Sequence, residues 1–294
     1  MVSMVSKRIT VVSTIFIVTV VLGVLIQIYS HPQPEVDKVV DAAWLKANLS
    51  NKELTIVATG NNKSLYEQGC IPNSLFVGYS DLIDRNASIP GLVLGVEAFE
   101  SLMSRYGIPN NTTIVFYDYQ SGLYAARAYW TFFYYGETNL LLLNGGIRSW
   151  LSQNFPLTTP ATVKPPTIYK LGSINHQVLA TLTDVKNHLN DTNYVIIDCR
   201  SKAEYLSGHI PGAVNIEWSL TLTPEGLFKD QRQLKELFTQ NGVTPDKNII
   251  TYCTTGVRGA HTWFVLHEVL KYPNVRLYDG SWVEWVAAGQ PIEK

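Results

Sequence analysis

This chain has little of what marks several common protein classes. Charged residues make up 16% of its 294 positions, and 23 Lys+Arg against 24 Asp+Glu leave a formal net charge of −1. It has no Lys/Arg-rich run and no basic stripe, and so lacks the electrostatic footprint of a nucleic-acid partner. Cysteine occurs three times, at Cys70, Cys199 and Cys253. An odd count leaves at least one thiol free in a monomer, and so few thiols do not build a disulfide framework. No Cys-x-x-Cys or Cys/His spacing suggests zinc, and neither a metal nor an organic cofactor is expected. What is present is a globular balance with 46% hydrophobic residues, free of the composition of disorder. The length suits two domains.

The N-terminus stands apart. Residues 9–29 carry no charge. At about 1.5 Å per residue they reach roughly 30 Å, the thickness of a bilayer's hydrocarbon core. Lys7 and Arg8 precede this run and by the positive-inside rule stay in the cytoplasm, which puts the bulk of the protein outside. The run is longer than the apolar part of a signal peptide, about 7–15 residues, and lacks a clear small-x-small cleavage site. We therefore expect residues 1–30 to be an uncleaved anchor, the alternative being secretion after signal cleavage. Asn48, Asn62, Asn86, Asn110, Asn111 and Asn190 each open an Asn-x-Ser/Thr triplet. These triplets fit either glycosylation of an exported protein or a polar surface.

The rest of the chain repeats itself. Gly107-Ile-Pro-Asn-Asn-Thr-Thr-Ile-Val-Phe-Tyr-Asp118 parallels Gly242-Val-Thr-Pro-Asp-Lys-Asn-Ile-Ile-Thr-Tyr-Cys253, at an offset of 242 − 107 = 135 residues. Trp150 and Trp285 keep that offset, whereas Cys70-Ile-Pro and His209-Ile-Pro differ by 209 − 70 = 139. A period this long marks a duplicated domain; solenoid units run about 20–50 residues. Between the copies, residues 156–166 contain four prolines, which bar a helix or interior strand and read as an extended linker. In each copy, apolar strands (55–58, 194–197) alternate with helical patterns (123–135, 259–270), which predicts a mainly parallel sheet flanked by helices. Ligands of such sheets bind at the carboxyl ends of strands, and Cys253 falls at one such end.

The loop Cys253-Thr-Thr-Gly-Val-Arg258 leads from strand to helix. Gly256 gives its backbone freedom, so successive N–H groups can converge on an anion. The helix start and Arg258 add positive potential. All of these favour the thiolate, the nucleophilic form of cysteine. A buried, inert thiol is the alternative.

Asp198-Cys-Arg200-Ser-Lys-Ala-Glu204-Tyr-Leu-Ser-Gly-His209-Ile-Pro-Gly-Ala resembles the rhodanese signature. The loop from Cys253 to Arg258 is similar to that family's active-site loop, and Tyr278-Asp-Gly-Ser-Trp-Val-Glu-Trp285 to the C-terminal signature of thiosulfate sulfurtransferases. The resemblance runs from about residue 36 to the C-terminus. It implies an α/β fold of two tandem rhodanese-like domains, which the run at 9–29 places behind an N-terminal transmembrane helix: an inactive domain at 36–152, a Pro-rich linker at 153–172 and a catalytic domain at 173–294. It makes Cys253 the nucleophile. Substrate binding falls to Arg200, Arg258, Thr254, Thr255, Gly256 and Val257, with Asp198, Glu204 and His209 in support. A salt bridge to Asp198 or Glu204 is the other reading of Arg200. In the first copy Asp118 stands for Cys253, and by the 139 offset Thr59 stands for Asp198 and Asn61 for Arg200, so that half reads as structural. Cys70 and Cys199 read as buried thiols.

The implied reaction is ping-pong transfer. The Cys253 thiolate takes the outer sulfur of thiosulfate, sulfite leaves, and a thiol or cyanide accepts the sulfur from the persulfide. The pair Thr254-Thr255 matches neither the basic pair of thiosulfate-preferring animal enzymes nor the Gly-Ser of mercaptopyruvate-preferring ones. Two arginines tilt the reading to the thiosulfate dianion, with 3-mercaptopyruvate as the alternative donor. A phosphatase of related fold needs a loop one residue longer before its arginine, and an intact Cys253 loop argues against a purely binding module.

Overall fold

The computed structural model describes residues 38–159 and 164–294. The expected anchor at residues 1–30, with its run at 9–29, lies outside the described residues. Among the described residues no helix is long and apolar enough to cross a membrane.

The first half contains strands β1 (Val39–Val40), β2 (Leu54–Gly60), β3 (Ser74–Gly78), β4 (Thr113–Tyr117) and β5 (Leu140–Leu143). Its helices are α1 (Ala42–Ala47), α2 (Lys63–Gln68), α3 (Val96–Arg105), α4 (Leu123–Tyr134) and α5 (Gly146–Ser152). The second half has β6 (Leu179–Ala180), β7 (Tyr194–Asp198), β8 (Val214–Asn215), β9 (Asn248–Tyr252) and β10 (Val275–Tyr278). With them go α6 (Leu182–Asn187), α7 (Lys202–Ser207), α8 (Gln231–Gln240), α9 (Val257–Phe264), which continues as a π-helical turn (Val265–Val269), and α10 (Ser281–Ala287). The sheets have orders β1-β5-β4-β2-β3 and β6-β10-β9-β7-β8. Every strand pairing is parallel. The two orders are the same permutation, so the repeat read from the sequence is a repeat of topology.

The central strands are continuous apolar runs because helices cover both faces. Leu140 to Leu143 are all buried, as are Ile249 to Tyr252. Helix α4 is buried on nearly every side, from Ala125 through Phe132. A helix without a polar face needs cover all round, and α9 of the other half supplies it. Tyr129 packs edge-on against Phe264 at 4.8 Å between centroids, and Phe133 meets Trp263 at 5.5 Å. One apolar cluster therefore spans both halves. The segment after the prolines is fastened down. Thr167 N–H donates to the Ser104 carbonyl at 2.9 Å, and the buried Tyr169 bonds Glu137.

Strand register corrects one equivalence. Tyr117 pairs with Ala58 and Tyr252 with Asp198. Ala58 therefore takes the place of Asp198, and Thr59 that of Cys199. The 139 offset holds only from α2 onward, because the first half carries one more residue between strand and helix: 63 − 58 = 5 against 202 − 198 = 4.

Candidate active site

Strand β9 ends at Tyr252, and α9 begins at Val257 after Gly256, whose φ of +83° a side chain resists. A Cβ there would lie 2.5 Å from Arg127 Nη1. Between them Cys253 is 1% exposed. Its N–H donates to Ser281 Oγ (3.3 Å), and Ser281 Oγ donates to the Tyr278 carbonyl (2.8 Å). The first turn of α10 holds the loop from below: Trp282 N–H donates to the Cys253 carbonyl (3.0 Å) and Val283 N–H to that of Thr254 (3.3 Å).

The matching loop of the first half shows what this backbone binds. Asp118 is fully buried. Oδ1 accepts the N–H groups of Gln120 and Gly122, both at 2.9 Å, and Oδ2 those of Tyr124 (2.7 Å) and Ala125 (3.0 Å). Here the chain fills its own anion cradle with a carboxylate. The second half repeats the strand, the left-handed glycine and the helix start, in a loop one residue shorter: 256 − 253 = 3 against 122 − 118 = 4. The first bond of α9 is Ala260 N–H to the Gly256 carbonyl, so the N–H groups before Ala260 receive no partner from that helix. These belong to Thr255, Gly256, Val257, Arg258 and Gly259, in the loop and first turn that follow Cys253.

Arg258 is at the site. Its guanidinium grips Glu204 through two bonds (2.6 and 2.9 Å) and donates to Thr254 Oγ1 (2.7 Å). The Arg258 hydrogen bonds hold Glu204 down at about 2. Glu204 also closes the capping box of α7 with Ser201, so one carboxylate fixes both a helix start and the arginine of the loop.

Arg200 turns its fork to Asp198, the salt bridge that is the other reading of this residue. It is 3% exposed. Its Nε and Nη2 donate to Asp198 at 3.0–3.1 and 2.6 Å, and Nη2 also donates to the Gly208 carbonyl (2.8 Å). The guanidinium lies 4.4 Å over the Trp282 ring, and Tyr252 Oη donates to the same Asp198 (2.6 Å). A buried carboxylate two residues away takes the fork that would otherwise face the cleft. His209 stacks on Tyr205 (3.7 Å) and pairs with Glu293 at 3.7 Å, tying down the C-terminus.

The first half contributes residues that the sequence reading missed. Arg127 in α4 is fully buried. Nη1 donates to Asp279 Oδ1 (2.5 Å) and Nη2 to the Gly91 carbonyl (3.0 Å), while Asp279 Oδ2 accepts Val93 N–H (2.7 Å). Tyr79 Oη donates to the Thr255 carbonyl at 3.4 Å. A Cβ on Gly91 would come within 2.8 Å of Thr255. The half that carries Asp118 in place of Cys253 thus forms a wall of the loop. One signal was legible: Arg127 is the lone charge in the apolar run Leu-Tyr-Ala-Ala-Arg-Ala-Tyr-Trp, where only a buried partner suits it.

Comparison with known proteins agrees with this geometry. The family model described as "Rhodanese-like domain" matches residues 41–153 and again 181–288. The chain belongs to the rhodanese family. This rhodanese is 33% identical over 290 residues to the sulfur carrier protein TtuD of Thermus thermophilus, an alignment covering 90% of this chain and 98% of that protein. It is 31% identical over 275 residues to a thiosulfate sulfurtransferase of Corynebacterium glutamicum, covering 87% and 89%. SseA of Escherichia coli, from a study of 3-mercaptopyruvate sulfotransferases, superposes with a TM-score of 0.78 at 29% identity, covering 84% of this rhodanese and 99% of SseA. The anaerobic ergothioneine biosynthesis enzyme of Chlorobium limicola shares the fold, with a TM-score of 0.80 at 22% identity.

Proposed function

We propose that this rhodanese moves sulfane sulfur from thiosulfate to a thiophilic acceptor through a persulfide on Cys253. The observation that carries the reading is the pair of loops. The strand–loop–helix turn that binds the carboxylate of Asp118 in one half carries a thiol at the same strand end in the other. A cradle that satisfies a built-in anion in one copy suits a sulfur anion in the other. Cys253 Sγ attacks the outer sulfur of the donor, and the S–S bond breaks with its electron pair leaving on sulfite. The terminal sulfur then lies among the loop N–H groups until a thiol or cyanide takes it. The names of the relatives support a sulfurtransferase.

With Arg200 committed to Asp198, the cation available to a donor is Arg258, itself shared with Glu204. This weakens the charge argument for a dianion and gives 3-mercaptopyruvate, the donor class in SseA's description, standing as the second reading. The deciding experiment compares thiosulfate and 3-mercaptopyruvate as donors to cyanide in the full-length protein, with Cys253→Ser as control. Turnover lost in Cys253→Ser is expected, and the larger kcat/KM identifies the donor. The absence of both turnover and persulfide mass on Cys253 would sink the reading. We further propose that residues 9–29 anchor the enzyme with its catalytic part outside; protection of that part from protease on intact cells would refute this.

A further inference from the structure

Transfer through Cys253 leaves one nucleophile beside it unused. Strands β7 and β9 are adjacent and parallel, with Asp198 opposite Tyr252. The next residue of each strand is a cysteine, so Cys199 and Cys253 stand side by side. The Cys199 N–H still donates to the Tyr252 carbonyl (2.9 Å), keeping the two chains paired at this point. Alternation puts both thiols on one face. Asp198 and Tyr252 bond each other through their side chains, while Cys199 and Cys253 lie together in the cluster on the other side. Neighbouring strands run about 4.8 Å apart, within the Cα separation that a disulfide spans. Both thiols are free. The Cys199 thiol has a long bond to the Ile197 carbonyl (3.7 Å) and lies next to the Thr262 hydroxyl. Cys70 belongs to a different cluster in the first half and does not compete.

We propose that Cys199 is a resolving thiol for sulfur-loaded Cys253, giving this rhodanese a second outlet, the release of sulfide. The inference rests on the persulfide reading above. The Cys199 sulfur attacks Cys253 Sγ and forms a Cys199–Cys253 bond. The bond from Cys253 Sγ to the terminal sulfur breaks, and its electron pair leaves with that sulfur. The terminal sulfur takes the proton of Cys199 and departs as hydrosulfide. Sulfane sulfur is reduced to sulfide while two thiols are oxidised to a disulfide, and a dithiol reductant from outside restores them. Burial pushes the Cys199 thiol up, so only a small thiolate fraction attacks, its proton passing to the departing sulfur, and the step is slow. Transfer to a good acceptor wins when one is present, and sulfide release takes over when none is.

The test loads full-length protein with thiosulfate, removes the donor and withholds any acceptor. Sulfide and intact mass are then followed in the wild type, Cys199→Ser and Cys199→Ala. The loaded form weighs about 32 Da more than the reduced protein. The wild type is expected to release one sulfide per chain and settle two hydrogens below the reduced mass, with a peptide map joining Cys199 to Cys253. Both variants are expected to keep the added sulfur at least about tenfold longer, as a slower exchange requires. Equal persistence in wild type and variants, or sulfide release without the bridge, would overturn the resolving role. A failure of all three proteins to gain sulfur would instead overturn the sulfur-transfer reading beneath it.

Discussion

Arg127 and Asp279 provide a quantitative test of how the first half supports the Cys253 loop. Their side chains are 0% and 3% exposed. Arg127→Met leaves the Asp279 carboxylate buried without its cation, and such a loss costs about 3–5 kcal/mol. That is a large share of a total stability of roughly 5–15 kcal/mol. Adding Asp279→Asn removes the second charge but keeps an amide oxygen for Val93 N–H, and is expected to return most of the loss, leaving about 1 kcal/mol. Function should fall as well. Arg127 Nη1 sits where a Gly256 side chain would be, so its removal lets the loop N–H groups drift, and even a small misplacement costs about tenfold or more in rate. Urea denaturation of the wild type, both single variants and the double variant, with kcat/KM alongside, measures both effects. A cost below about 1 kcal/mol for Arg127→Met, or a double variant as unstable as the sum of the singles, would refute the reasoning.

Two further outcomes follow from buried groups. Asp118→Asn sets an amide NH2 against N–H donors that now meet a carboxylate, and is expected to cost about 2–4 kcal/mol in denaturant unfolding while turnover at Cys253 persists; a neutral substitution would contradict the filled cradle. His261 is fully buried with neither ring nitrogen bonded, and burial lowers it from 6.5 to about 3. Below pH 6.5 the unfolded chain takes up a proton that the folded chain refuses, so stability falls as pH drops, by about 1.4 kcal/mol per unit, or ~2 kcal/mol between pH 6.5 and 5. His261→Leu, placed between Trp218 and Phe228, should flatten that slope, and parallel slopes for the two proteins would rule the account out.

Periodic and repeated features were legible in the sequence, and features built by long-range pairing were not. The strand before Cys253, the left-handed glycine and the helix after it are adjacent in the chain, so composition and order place them. The 135-residue offset survives in the structure because β4 and β9 carry the same apolar run to the same position. Arg200 was read toward the cleft because nothing local says whether its fork turns to a substrate or to Asp198; Tyr252, Gly208 and Trp282 decide that, and only folding brings them together. Arg127 meets Asp279 across 152 residues, beyond any pattern of period 2 or 3.6.

Under the proposed persulfide function, the two loops also indicate how one fold would come to have a silent and a reactive copy. Backbone N–H groups that converge on a buried point need an acceptor, since each costs about 1–3 kcal/mol if left without one. In the first copy Asp118 meets that need permanently, and a carboxylate has no sulfur to exchange. In the second, a thiol stands at the same strand end, in a loop one residue shorter, with Arg258 beside it. The acceptor there is expected to be a sulfur anion that arrives and leaves with each turnover. The step from a structural loop to a reactive one is then a change of the residue at the strand end together with the length of the turn, while the sheet, the glycine and the helix start stay the same. The silent copy supplies Arg127 and Tyr79 as the wall against which the reactive loop keeps its shape.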